Sequence, residues 1–162
     1  MVLYFARKYD LAIQLLSNAL EMDTGFVLAN IPLGGAYIQR KMYPEAMKAF
    51  SQLTMATAFA TSKAHPIPIA GLAYAYGISG QKDDALAMLE LLEEKSKEEY
   101  VAPYWMSIVF VGLGDNEEAF KWLEKAYRER DGSMMFLNVE PLFDPLRRDL
   151  RFAVLLKKMA YL

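Results

Sequence analysis

Few side chains of this 162-residue chain could carry out catalysis or hold a metal ion. The sequence has no cysteine, which excludes disulfides, thiolate zinc sites, iron–sulfur clusters and cysteine nucleophiles. Its single histidine, His65, stands directly before Pro66, and we interpret it as a surface residue that precedes a helix. A metal site needs three or four ligands, so one imidazole does not make one. We therefore expect no metal and no cofactor.

Carboxylates, lysines and hydroxyls remain as possible catalytic groups. The densest cluster is the run Glu-Glu-Lys-Ser-Lys-Glu-Glu at 93–99, and its mixed signs are typical of a solvated helix face. No nucleophile motif, phosphate-binding loop or metal cluster accompanies it. The sequence therefore predicts a protein that is not an enzyme, and a carboxylate enzyme or small-ligand sensor is the least favoured alternative.

The charge balance excludes some partners. Lysine and arginine number 18 against 20 aspartates and glutamates, which gives a net charge of −2 and no basic surface for nucleic acid or anionic lipid. Three stretches without any charge, 24–39, 64–81 and 100–114, are too short or too rich in proline and glycine to cross a bilayer. Because Arg7, Lys8 and Asp10 interrupt the first apolar residues, we do not expect the N-terminal segment to be an export signal. We expect a cytoplasmic protein without membrane insertion.

The uncharged stretches alternate with charged ones because the sequence repeats. Ala12 returns 34 residues later as Ala46, Ala46 returns after 39 residues as Ala85, and Ala85 returns after 34 as Ala119. In the same frame a turn position is held in the four copies by Arg7, Lys41, Gly80 and Gly114. Each copy thus consists of two segments of helical length joined by a short turn.

The local chemistry favours helices over strands. Apolar residues recur at helical spacing in the charged segments, for example Ala119, Phe120, Leu123 and Ala126, with charges on the opposite face. The turn at 113–118 has a glycine suited to a helix end, followed by an aspartate and a glutamate in capping-box spacing. The alanine shared by all copies lets two helices approach closely. The sequence predicts antiparallel helix pairs.

The second copy carries the residues that identify a family. It has Leu33-Gly34 and Tyr37 in its first helix, then Lys41, Tyr43, Ala46 and Phe50 around its turn. With the 34-residue period, this pattern resembles the tetratricopeptide repeat. The tryptophan of the first helix and the proline that ends the second in that family are missing from every copy. The resemblance implies an all-α solenoid whose antiparallel helix pairs stack in a right-handed superhelix.

The repeats fall into bounded regions. We predict four helix pairs within residues 1–131, at about 1–23 (a partial copy), 27–60, 66–99 and 100–131. Residues 132–162 are predicted to form a short helix and a C-terminal capping helix. This region resembles the end of repeat arrays in bacterial multidomain regulators. Because the first copy starts part-way through its first helix, we expect the chain to be a fragment that has lost an N-terminal domain.

The resemblance also implies a binding face. In this family the first helices of the pairs line a concave groove that holds an extended peptide or a helix. The corresponding positions are Ile31, Gly35, Ile38, Ala70, Tyr74, Gly77, Val101, Tyr104, Ile108 and Val111. None is charged, so we expect an apolar or aromatic anchor side chain rather than a terminal carboxylate. Trp105 is a possible interface residue beside Tyr104.

Two questions stay open at this point. An uncharged first helix is consistent with a groove wall, and buried core is the somewhat more frequent alternative. The function we predict is a non-catalytic interaction scaffold that binds a peptide or helix of a protein partner, or of its own missing N-terminal domain. The alternative is self-association, in which the chain forms a homodimer as part of a larger bacterial regulatory protein.

Overall fold

The computed structural model describes residues 1–61 and 65–160, and every regular element within those residues is a helix. Its α-helices are α1 (Val2–Phe5), α2 (Tyr9–Met22), α3 (Asn30–Gln39), α4 (Tyr43–Thr61), α5 (Pro66–Ile78), α6 (Lys82–Glu98), α7 (Pro103–Leu113), α8 (Asn116–Arg128) and α9 (Leu150–Met159). Short 3₁₀ helices lie at Val27–Ala29, Gly132–Phe136 and Pro141–Leu146. The all-α repeat of helix pairs is confirmed. Positions 62–64 and the last two residues of the predicted 132–162 region lie outside the described residues.

The four turns that the repeat frame aligns share one backbone conformation. Arg7, Lys41, Gly80 and Gly114 all have positive φ, at 60°, 59°, 88° and 78°. A left-handed residue at this place ends one helix and redirects the chain into the next. Glycine adopts this conformation freely, whereas for a residue with a Cβ it costs about 1–2 kcal/mol of conformational free energy. The inner turns of the first two pairs therefore carry backbone strain that the inner turns of the last two do not.

Helix starts follow their sequence signals. Pro66 and Pro103 occupy the first position of α5 and α7, where a missing N–H has no helical partner to lose. Asp115 caps α8, because its side chain accepts a hydrogen bond of 3.0 Å from the backbone N–H of Glu118. The predicted turn between α7 and α8 thus forms through these local interactions.

Small residues set the distance between helices. The alanine common to the four copies is buried in each of them. Successive pairs meet more closely still at Gly77 of α5 and Gly112 of α7. A methyl group on Gly77 would lie 2.5 Å from the carbonyl oxygen of Gly112, and one on Gly112 would lie 2.5 Å from Cα of Tyr74. Two glycines therefore bring α5 and α7 into backbone contact.

The last part of the chain occupies two places. Residues 132–146, which we call the inner segment, leave α8 and cross the first helices of the pairs, contacting α7 and α3. Helix α9 then runs along α8, with Arg151 paired to Glu117 (2.9 Å) and Lys158 paired to Glu124 (2.8 Å). Within the described part of the chain, no helix has the length and apolar character required to cross a membrane.

Candidate functional site

The inner segment fills much of the face on which the sequence predicts a groove. Phe143 is completely buried, and its ring meets that of Tyr104 edge-on, with 5.2 Å between centroids and 74° between planes. Tyr74 donates its hydroxyl hydrogen bond to the backbone carbonyl of Leu142 at 3.2 Å. Leu137 and Leu146 are also buried there. The face formed by α5 and α7 is therefore largely packed core.

The same segment reaches the first helix of the array. The Tyr4 hydroxyl donates to Oε1 of Glu140, and Nη2 of Arg7 donates to Oδ1 of Asp144 at 2.7 Å. The rings of Phe5 and Phe136 stack with 5.7 Å between their centroids. The Arg7–Asp144 ion pair is partly exposed, so it adds little to the free energy of unfolding. Its main effect is to hold Asp144 of the inner segment next to Arg7. Contacts at both ends thus hold the inner segment across the array.

Six of the predicted groove residues are packed against neighbouring elements, which is the core alternative that the sequence left open. Their side chains or backbones pack between helices or beneath the inner segment, and none of them lines the cavity described next: Ile38, Ala70, Tyr74, Gly77, Val101 and Val111. The physical reason is that a first helix is flanked by its neighbours on most sides. The chain's own residues 132–146 then cover what remains.

The other four predicted groove residues line a cavity. Ile31, Gly35, Tyr104 and Ile108 face a space of about 140 Å³ that is bounded by α1, α3, α4, α5, α7 and the inner segment. Trp105, the possible interface residue, is half-buried in the same wall. A cavity of this size holds a ligand or side chain comparable to benzene. It is the candidate binding site.

Two parts of the chain that the sequence did not point to also supply wall residues. Tyr4 and Phe5 come from α1, and Phe136 and Glu140 come from the inner segment. Their positions depend on contacts between residues more than 130 positions apart, which no local periodicity reveals. One sequence signal could have indicated that this segment is packed against the helices. Phe136-Leu137 and Leu142-Phe143 are too apolar for a connection that is exposed to solvent.

Glu140 supplies the acidic group of the cavity wall. Its Oε1 accepts hydrogen bonds from the Tyr4 hydroxyl and from the backbone N–H of Leu142 at 3.1 Å. Burial raises the pKa of Glu140, and these two hydrogen bonds oppose the rise only in part. The nearby cations are directed elsewhere, since Arg7 and Arg147 both pair with Asp144. Among the described residues, the Glu140 carboxylate has no ion-pair partner.

A second polar group lies beside it. The Tyr104 hydroxyl is buried and forms no hydrogen bond with any described residue. Burial raises its pKa well above the ordinary tyrosine value, and the negative charge of Glu140 adds to that rise. The backbone N–H of Tyr104 is satisfied, because it donates to Oδ2 of Asp131 at 3.0 Å. The cavity therefore combines aromatic walls with one carboxylate, and one of its aromatic residues carries a buried hydroxyl without a hydrogen-bond partner.

The remaining candidate groups have structural roles. The His65 side chain caps α5 by accepting a hydrogen bond of 3.3 Å from the backbone N–H of Ile67. In the acidic run of α6, Lys97 pairs with Glu94, and Lys95 pairs with Glu99 at 2.7 Å. Across residues 1–61 and 65–160, no three histidine, aspartate or glutamate side chains converge in a way that could hold a metal ion.

Comparison with known proteins gives one match. Residues 6–65, from the end of α1 to the start of α5, match a family model described as "Tetratricopeptide repeat". No curated protein and no solved structure matches the chain. The matched region covers the turns at Arg7 and Lys41 and the first complete helix pair.

Proposed function

The chain is a tetratricopeptide repeat protein, a family whose repeats generally mediate protein–protein interaction, and from this premise we propose a specific mode of binding. It acts as a non-catalytic interaction module that receives one apolar or aromatic anchor side chain of a peptide or helix. The anchor enters the cavity between α1, α3, α4, α5, α7 and the inner segment. The partner is a separate protein or another region of the same polypeptide.

The observation that carries this proposal is the cavity itself. Its walls are mainly aromatic and aliphatic, and burying one such side chain contributes about 1.5–3 kcal/mol to binding. Trp105 is half-buried at the cavity and Tyr104 is fully buried, and both residue types are frequent in interface hot spots. A single anchor is favoured over a whole strand or helix in the groove because the inner segment already occupies the neighbouring surface.

The first experiment is selection of binding peptides from a phage-displayed library of random dodecamers. Two variants then test where the selected peptides bind. Ile31→Trp places an indole in the cavity, whereas Leu28→Trp places the same ring nearby on an exposed position outside it. We expect the peptides to lose at least about ten-fold in affinity for Ile31→Trp. Affinity for Leu28→Trp should stay within about two-fold of the wild-type value.

Two outcomes would contradict the proposal. Peptides that bind both tryptophan variants as well as wild type would place the site away from the cavity. Selected sequences that share no position with an apolar, aromatic or long aliphatic side chain would show that no single anchor side chain is recognised. Circular dichroism of each variant provides the folding control.

Self-association is a second candidate, favoured by an apolar stripe on the outer side of α2. Leu11, Leu15 and Met22 lie at helical spacing and are 43%, 50% and 89% exposed. We propose that two copies could pair through this stripe while the cavity remains free for a partner. Multi-angle light scattering would show a dimer that Leu15→Glu converts to a monomer. A monomer at high micromolar concentration in wild type would exclude this second candidate.

A further inference from the structure

The carboxylate of Glu140 is the most unusual group in the cavity wall. Both of its hydrogen bonds from described residues end on Oε1, which accepts from Tyr4 and Leu142. Oε2 accepts none from the described residues. The guanidinium of Arg147 donates to the backbone carbonyl of Glu140 at 3.3 Å and to Asp144 at 2.6 Å, so it does not neutralise the carboxylate. One carboxylate oxygen is left to accept from a bound group.

The rest of the wall suits a positively charged group with a hydrocarbon chain. Aromatic rings attract cations through the negative potential of their faces, and six aromatic residues line this space. They are Tyr4, Phe5, Phe50, Tyr104, Trp105 and Phe136. The aliphatic part of such a group would replace water against Ile31 and Ile108.

The electrostatic balance favours a charged anchor over a neutral one. Moving an ammonium into an apolar cavity is unfavourable alone, and keeping an unpaired carboxylate in a buried wall is unfavourable as well. Placing the two together offsets part of both costs, because the ammonium and the carboxylate form a charge-assisted hydrogen bond. Burial raises the pKa of Glu140, which is consistent with that reasoning.

We propose that the anchor is a lysine side chain of the partner, whose four-carbon chain lies among the aromatic rings and whose ammonium donates to Glu140. This inference rests on the proposed function, since it keeps the same cavity and the same burial of an apolar chain and adds a positive charge at the end of that chain. Lysine fits better than arginine because Oε1 is already occupied by two donors. A guanidinium fork needs two free oxygens to bind in bidentate form, whereas an ammonium needs one.

The experiment compares two small probes on the full chain by NMR titration. n-Butylammonium reproduces the end of a lysine side chain, and 1-butanol has the same chain length without the charge. We expect n-butylammonium to bind at least about ten-fold more tightly than 1-butanol. Both probes should shift the methyl signals of Ile31 and Ile108, which line the cavity.

Two variants assign the charge preference to one residue. Glu140→Gln keeps an oxygen that can accept from Tyr4 and Leu142 but removes the charge, so the affinity ratio of the two probes should fall to about one. Asp149→Asn removes an acidic charge outside the cavity and keeps an N-cap for α9, so the ten-fold ratio should remain.

The outcomes separate this inference from the proposed function. Equal binding of both probes to wild type would overturn the lysine anchor and leave an apolar anchor site in place. A ten-fold preference that persists in Glu140→Gln would also overturn the lysine anchor, because a group other than Glu140 would then bind the ammonium. Absence of shifts at Ile31 and Ile108 with either probe would overturn both proposals. The comparison of probes on wild type needs no variant to fold.

Discussion

Replacing Phe143 by alanine tests whether the inner segment is part of the folded core or only rests on it. The Phe143 side chain is 0% exposed. Its ring contacts that of Tyr104 edge-on at 5.2 Å and lies 6.5 Å from that of Phe152, which belongs to α9. One side chain therefore connects the inner segment to α7 and to the last helix.

The expected loss follows from these contacts. Truncating a fully buried phenylalanine removes its transfer free energy and leaves a cavity, which together cost about 3–5 kcal/mol. Part of that figure comes from the aromatic pair, worth about 0.5–1.5 kcal/mol beyond area burial. For a chain of this length, each kcal/mol lowers the melting temperature by about 2–4 °C. We expect Phe143→Ala to lower it by about 6–20 °C.

The assay is urea unfolding followed by circular dichroism, with Phe59→Ala as the matched control. Phe59 is 95% exposed on α4, so its loss should change the free energy of unfolding by less than about 0.5 kcal/mol. With a urea slope of about 2 kcal/mol per molar, Phe143→Ala should shift the midpoint by about 2 M. Equal midpoints for the two variants would refute the packing of the inner segment described above.

Three further predictions concern the turns, the caps and the buried acid. Gly114→Ala should destabilise the protein by about 1 kcal/mol because φ is 78° there, whereas Gly132→Ala, which has open space and no positive φ, should be close to neutral in thermal unfolding. Asp131→Ala should lower the free energy of unfolding by about 2–4 kcal/mol in urea titrations, because two backbone N–H groups at 3.0 and 2.8 Å lose their acceptor. Burial raises the pKa of Glu140 above its ordinary 4.5, so its ionisation opposes folding. The stability of wild type relative to Glu140→Gln should therefore decrease as pH rises from about 4.5 through the raised pKa, measured by unfolding at a series of pH values; an unchanged difference would contradict the burial of that carboxyl.

The helix pairs could be predicted because the signals that form them are local. A 34-residue spacing, an alanine at the close contact and a turn position common to four copies are all visible in the sequence. The structure shows why the turn aligns, since Arg7 and Lys41 adopt the same left-handed conformation as Gly80 and Gly114. The turn position aligns in all four copies because each turn needs a residue with positive φ, whether or not that residue is glycine.

The site could be predicted only in part. Ile31, Gly35, Tyr104 and Ile108 line the cavity as positions on first helices suggest, but Glu140 was not foreseen. The return of the inner segment depends on contacts such as Tyr4 with Glu140, which are 136 residues apart. Helical periodicity carries no information about such pairs. The sequence of an uncharged helix also does not show which of its residues are buried in the core and which line a groove, because that depends on the neighbouring elements.

The two tryptophans allow the most direct test of the cavity as the recognition site. Trp105 lines the cavity, whereas Trp122 stacks on Phe110 at 6.5 Å and lies beneath Lys125. Protein labelled with 5-fluorotryptophan gives one ¹⁹F signal for each, assigned with Trp122→Phe. Saturation with a selected peptide should shift the Trp105 signal and leave the Trp122 signal in place. An unmoved Trp105 signal at saturation would contradict binding in the cavity.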